Sequence, residues 1–196
     1  MNDCIFSAHC TEPICDRACS RYVQTSYLLE RNGIKPSSLV FKRSAQNIEI
    51  CIDTLEEAKG KLKMVEANQS SAKAELLTYC AICQNWQNSR LHCNVYNLKF
   101  SKFLEETKRS WSSKGDSDDL EYMRIWAKSA SVLIISNIDF VNFNDFESQT
   151  LLNLLSERQD PELTTIVVGP KINMLVGKGL FFSRLQQILA EAVTRR

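Results

Sequence analysis

The sequence predicts an α/β fold: a mainly parallel sheet sandwiched by helices, with a small cysteine-rich module at the N-terminus. Three observations carry this. Residues 132–135, Val-Leu-Ile-Ile, are an unbroken apolar run, the pattern of a strand buried on both faces in the middle of a parallel sheet. Strand-like and helix-like segments alternate along most of the chain, which suits a sheet covered by helices. Four of the eight cysteines fall within the first 21 residues, which hold almost no aliphatic side chains and so cannot build a core of their own.

The bulk numbers set limits on function. With 196 residues, 44% of them hydrophobic and 24% charged, the chain has room for one main core and a small appendage, divided here as 1–40 and 41–196. A net charge of +1 gives no general field for nucleic acid, so any such contact must come from a local patch. No apolar run approaches the roughly 20 residues that span a bilayer, and no signal-peptide core opens the chain. The expectation is a cytoplasmic protein without membrane contact, whose cysteines serve as metal ligands or buried thiols rather than disulfides.

The N-terminal cysteines Cys4, Cys10, Cys15 and Cys19 are spaced C-x5-C-x4-C-x3-C, with His9 beside the second. Four thiolates converging on a tetrahedral Zn²⁺ would order this segment and supply its folding energy. An iron–sulfur cluster is the alternative, with free thiols or disulfides behind it. Residues 22–32 then read as a short amphipathic helix stopped by Asn32-Gly33, and 34–40 as a loop or hinge. Ile48, Ile50, Cys51, Ile52 and Leu55 suit a helix that ends in the charged stretch 56–61, a solvated face.

Residues 61–67 read as a strand, followed by the polar turn Asn68-Gln69-Ser70-Ser71. A helix comes next, with Leu76, Leu77, Cys80, Cys83 and Trp86 along one face. Residues 90–98 are a second strand, 100–111 an amphipathic helix with Phe100, Phe103 and Leu104 inward, and 120–126 a helix leading into the apolar strand. Residues 146–158 form a further helix, 164–168 a β-branched strand, and 180–192 the last helix. This order of strand, polar turn, helix, strand, helix, apolar strand, helix, strand is that of a P-loop-type ATPase core.

On these residues the chain resembles the bacterial and phage helicase-loader family of AAA+ ATPases, in particular small phage replication ATPases with a cysteine-rich N-terminus. The cysteine cluster followed by Tyr27-Leu28-Leu29-Glu30 and Asn32-Gly33-Ile34-Lys35-Pro36 is similar to that group's N-terminal module. Residues 137–158 are similar to its Walker B strand and following helix, and Leu180-Phe181-Phe182-Ser183-Arg184-Leu185 to its C-terminal arginine motif.

The resemblance implies catalytic positions that this sequence has lost. The family's phosphate loop, G-x4-G-K-S/T, needs glycines so that backbone N–H groups can wrap phosphate, and a hydroxyl for Mg²⁺. Aligned on Lys73, the glycine positions hold Ala67 and Ala72, and the hydroxyl position holds Ala74. The Walker B carboxylates are replaced by Ser136 and Asn137. Asp139 lies nearby but is expected to sit too far along the turn. The polar sensor falls near Gly169-Pro170. Arg184 is retained, as the arginine that in the family reaches a neighbouring subunit's nucleotide site; a plain reading has it covering a hydrophobic flank.

Losing the Mg²⁺ ligands and the water-orienting acid together removes the route to hydrolysis, so a pseudo-ATPase is expected and bound ATP is not. Cys80-x2-Cys83 with His92 and Cys93 admits a second metal site or a redox pair, but Cys80 and Cys83 continue an apolar face and are expected as core thiols. Lys99, Lys102, Lys108, Arg109 and Lys114, interleaved with Phe100, Phe103 and Trp111, are candidates for single-stranded DNA contact, against a solvated helix face.

The resemblance implies a non-catalytic, helicase-loader-like protein acting by protein contacts in the DNA replication of a phage or mobile element. Its partners would be a replicative helicase or an active AAA+ paralogue, in a homo- or hetero-oligomer. The alternatives are an inhibitor or adaptor that mimics a loader subunit to redirect a host replication or defence complex, and an active loader with divergent motifs.

Overall fold

The computed structural model describes residues 20–35, 45–87, 94–112, 118–160 and 162–193. Its elements follow in chain order. α1 (Ser20–Arg31) and α2 (Ala45–Ala58) precede β1 (Leu62–Glu66), which leads to α3 (Ser70–Gln87). β2 (Val95–Lys99), α4 (Phe100–Ser112) and α5 (Asp118–Ser129) come next. β3 (Val132–Ser136) ends in a 3-10 turn, Ile138–Phe140, before α6 (Asp145–Glu157). β4 (Thr164–Gly169), a second 3-10 turn (Ile172–Met174) and α7 (Leu180–Glu191) complete the order.

The four strands form one sheet, all parallel, in the order β1-β4-β3-β2. The apolar run at 132–135 is a central strand, as its lack of alternation implies: Leu133, Ile134 and Ile135 are all fully buried. Of the second strand expected over 90–98, residues 90–93 lie outside the described residues, and β2 runs Val95–Lys99. Past α7 the chain comes back to the free edge of β1, where the Met64 N–H donates to the Ala192 carbonyl at 2.7 Å and Met64 bridges Val193 in parallel. That contact shields an edge that would otherwise expose unpaired backbone groups.

Two apolar layers cover the sheet, and the pleat sorts the side chains between them. Ile134, Ile166 and Val168 point into the layer of α1, α2 and α3, among Leu29, Cys51, Leu77 and Ile82. Leu133, Ile135 and Val167 point into the layer of α4 to α7, among Phe100, Phe143, Leu151 and Leu185. In this second layer Phe143 stacks between Phe100 at 6.1 Å and Phe182 at 5.9 Å.

α1, which the sequence grouped with the N-terminal module, packs into the α/β core. It buries Leu29, and Ile34 follows, in the same layer as α2 and α3. Gly33, at φ +67°, lets the chain reverse after the helix, and the Ile34 N–H donates to the Leu29 carbonyl. Cys4, Cys10, Cys15 and Cys19, with His9, lie outside the described residues, as do Pro36, His92, Cys93 and Lys114. Among the described residues no group of three or more His, Cys, Asp or Glu side chains is placed to hold a metal ion, and no helix is long and apolar enough to cross a membrane.

Candidate functional site: the crevice at the carboxyl edge of the sheet

Topology alone marks where a ligand would bind in such a sheet. The chain leaves β1 through α3 in one layer, and leaves the neighbouring β4 through α7 in the other. Connections that part to opposite faces open a crevice outside the carboxyl ends of those strands. Ala67, Ser70 and Ser71 border it from the β1–α3 link; Ser136, Asn137 and Asp139 come from the end of β3, and Gly169 and Pro170 from the end of β4.

The β1–α3 link is short. Only Ala67, Asn68 and Gln69 separate strand from helix, and the Ala67 N–H is already spent on the Gly169 carbonyl at 2.8 Å. A phosphate-wrapping loop needs several consecutive N–H groups free and turned inward. Here the chain goes from ladder to helix without forming such a cradle, and none of the three residues is glycine.

The first hydroxyls of α3 are also taken. The Ser70 hydroxyl, buried, donates to Asp139 Oδ2 at 2.8 Å, and the Ser71 hydroxyl donates to Asn137 Oδ1 at 2.7 Å. The expectation that Asp139 sits too far along the turn is therefore corrected. Asn137 adopts the left-handed conformation, φ 61° and ψ 30°, and the 3-10 turn that follows folds the chain back toward α3. Asn tolerates that conformation better than most residues, which accounts for it here. The Asp139 carboxylate thus stands at the start of α3, where a helix N-terminus attracts negative charge.

Lys73 does not turn toward this crevice. Its Nζ lies 3.4 Å from Cys51 Sγ on α2, half-buried between helices. Cys51 is fully buried beside Cys80; hydrogen bonding with the Cys80 thiol, and then the Lys73 ammonium, hold it down at about 7 against the opposing effect of burial. Cys80 is pushed up, first by that same hydrogen bond and then by burial. Cys80 and Cys83 are buried in this layer as core thiols. Ala74 is buried in the same layer, and Ala67 is packed against it.

Ser136 serves a structural network. Its hydroxyl donates to Asn97 Oδ1 at 2.9 Å, and the Asn97 N–H donates to Asn32 Oδ1 at 2.6 Å. Asn32 in turn donates to the Leu28 carbonyl at 2.7 Å. Ser136, Asn97 and Asn32 are all buried, so this chain of amides and hydroxyl ties α1 to β2 and β3. At the end of β4, Gly169 is required by space: a Cβ there would lie 2.4 Å from Ile138 Cδ1.

The remaining candidates are scattered. Arg184 is exposed on α7 and lines a groove against α6 together with Lys61 at the start of β1. Of the DNA-contact candidates, Lys108 pairs with Glu147 at 2.6 Å and Arg109 with Glu106 at 2.7 Å. Burial alone would raise the Glu147 carboxyl, but the Lys108 hydrogen bond and backbone N–H groups outweigh it and hold Glu147 below the usual carboxylate range. Lys102 is exposed, and Lys99 is half-buried with its Nζ close to Gly33. Trp111 is exposed but packs edge-on against Phe146 at 4.7 Å. These side chains do not present an unbroken cationic face.

Three side-chain meetings were not foreseen from the sequence: Asp139 reaching Ser70, Cys51 receiving Lys73, and the Asn32–Asn97–Ser136 chain. The Asn32-Gly33 stop was a signal for the last, since a buried Asn needs partners. Comparison with known proteins returns no matching family model, no matching curated protein and no matching solved structure.

Proposed function

We propose that this chain is a non-hydrolysing, AAA+-like protein that works through protein contacts, in the manner of a helicase-loader subunit in DNA replication. One observation carries the reading. At the start of α3, the helix end that a nucleotide phosphate would approach on this reading, Asp139 engages Ser70, Asn137 engages Ser71, and Lys73 is turned to Cys51. A phosphate approaching there would meet a carboxylate instead of a lysine, and like charges brought close together repel. The strand order, with β1 and β3 flanking β4, supports the P-loop-type frame.

Exposed apolar side chains support the second half. Phe140, Met174, Val176 and Leu180 are each more than three-fifths exposed, on the segments that follow β3 and β4. Those segments are laced together: the Phe143 N–H donates to the Val176 carbonyl and the Lys178 N–H to the Phe143 carbonyl, both at 2.9 Å. Apolar residues held on a rigid rim suit a protein contact better than solvent. The partner proposed is a replicative helicase or an active AAA+ paralogue.

Two measurements test this. Purified protein should release no phosphate from MgATP above buffer; turnover that Lys73→Ala abolishes would sink the non-hydrolysing reading. Added to a reconstituted loading reaction on single-stranded DNA, the protein should raise helicase loading, and Leu180→Asp with Met174→Asp should remove the effect. Blocked loading would instead favour a mimic that poisons the complex, and no effect on any replicative helicase offered would overturn both.

A further inference from the structure

A cavity of about 550 Å³ lies between α6 and α7 and opens toward the starts of β1 and β4, at the amino edge of the sheet. It is separate from the crevice described above, which sits at the carboxyl edges. Its volume falls within the roughly 300–1,000 Å³ of small-molecule sites. Its charge is one-sided: Lys61, Arg158 and Arg184 line it against a single carboxylate, Asp160.

The three cations play different parts. Arg158 is buried, and all five of its guanidinium hydrogens are engaged. Nε donates to the Thr165 hydroxyl at 2.9 Å; Nη1 to the carbonyls of Ala127 and Lys128, both at 2.9 Å; and Nη2 to those of Ala130 at 2.7 Å and Thr164 at 3.0 Å. It has no donor left for a ligand. None of its partners is a carboxylate, however, so its charge is solvated but not cancelled. Burial lowers it to about 10, which leaves it cationic at neutral pH. A permanent positive charge therefore stands in the wall of the cavity, where low dielectric extends its reach.

Lys61 and Arg184 are the groups able to touch a ligand. Both are exposed, on the strand start and on α7, and both line the cavity. Between them α6 presents the amides of Gln149 and Asn153, while Leu62, Leu152 and Phe181 supply an apolar side. A forked guanidinium and an ammonium suit phosphate oxygens, amides suit a hydroxyl-bearing or heterocyclic body, and an aromatic edge suits a flat ring.

We propose that this cavity is a binding site for a small organic phosphate of mononucleotide size, its phosphate held by Arg184 and Lys61 in the field of Arg158. The site is complete within one chain and leaves Arg184 with a role that needs no neighbouring subunit. It stands independently of the loader reading, because none of its residues borders the carboxyl-edge crevice.

Binding of adenosine 5′-monophosphate, ribose 5-phosphate and inorganic phosphate to the full chain is measured by calorimetry and by thermal shift. Adenosine 5′-monophosphate should bind more tightly than inorganic phosphate and raise the melting temperature. Arg184→Ala and Lys61→Ala, both at exposed positions, should each weaken it by about tenfold, the loss of one charge-assisted contact, while Lys73→Ala binds as the native chain does. Arg184→Lys should recover only part of the affinity, since an ammonium keeps the charge without the fork. The proposal is overturned if none of the three probes binds, if inorganic phosphate binds as tightly as the nucleotide, or if binding survives in the Arg184→Ala, Lys61→Ala double variant. Loss of binding in Lys73→Ala alone would place the ligand in the crevice and overturn it equally.

Discussion

Replacing Arg158 with methionine removes a buried cation that five neutral acceptors surround, and the sign of the effect is not obvious in advance. A buried charge is costly, and exchanging one for an apolar side chain of similar length relieves several kcal/mol of desolvation. Against that stand the acceptors. Four of the five are backbone carbonyls, of Ala127, Lys128, Ala130 and Thr164, which no substitution at 158 can remove. Hydrogen bonds from a charged donor contribute about 1.5–3 kcal/mol each, so five amount to roughly 7–15 kcal/mol before the desolvation cost is taken off.

The Lys128 carbonyl is only partly buried and water can reach it, but the carbonyls of Ala127, Ala130 and Thr164 have no such recourse. The balance is a loss of about 3–5 kcal/mol, the same range as stranding one member of a buried ion pair. In a chain of this size that corresponds to a melting point lower by roughly 6–20 °C. Arg158→Lys keeps the charge but offers three donors, and should lose about half as much. Urea unfolding followed by far-ultraviolet circular dichroism gives the free energies, with an unchanged slope confirming that only the folded state is affected. A methionine variant within about 1 kcal/mol of the native chain, or a lysine variant as stable as arginine, would refute the stapling role.

Gly169→Ala should cost about 1–3 kcal/mol, because the new methyl would lie 2.4 Å from Cδ1 and 2.6 Å from Cγ1 of the fully buried Ile138. Adding Ile138→Ala should then cost less than it does alone, a coupling that denaturation of the two singles and the double variant measures directly. Cys51 gives a pH dependence. Its folded value of about 7 lies below the ordinary 9.0, so from pH 7 to pH 9 the unfolded chain holds more protons than the folded one, and stability should rise with pH across that window. It should be lost as the pH falls through 7. Cys51→Ser should flatten the rise, and the difference in ultraviolet thiolate absorbance between the two proteins should have its midpoint near pH 7; a midpoint at the ordinary thiol value would refute the Lys73 and Cys80 arrangement.

Much of the fold was legible because each element hides its own face. The run at 132–135 reads as a central strand, Phe100, Phe103 and Leu104 mark the inner side of α4, and the β-branched residues of β4 are buried from end to end. These patterns report only whether a side chain meets apolar surroundings, which the local period encodes. The alanines at Ala67 and Ala72 and the uncharged Ser136 and Asn137 are read directly, since a residue's type needs no partner to be seen.

By itself, then, the sequence determined the alternation of strands and helices and the two-sided burial of the sheet. Only the tertiary structure decided which side chains meet. Asp139 reaches Ser70 because a left-handed Asn137 turns the chain back at the end of β3. Lys73 meets Cys51 because α2 and α3 share one layer, and Ser136 meets Asn97, which in turn meets Asn32, because β2 lies beside β3 with α1 against them. The cavity between α6 and α7 gathers Lys61, Arg158 and Arg184 from positions far apart in the chain. Periodicity is a property of neighbours along the chain, whereas these encounters depend on strand order and on the face to which each crossover goes, and no local pattern carries that information.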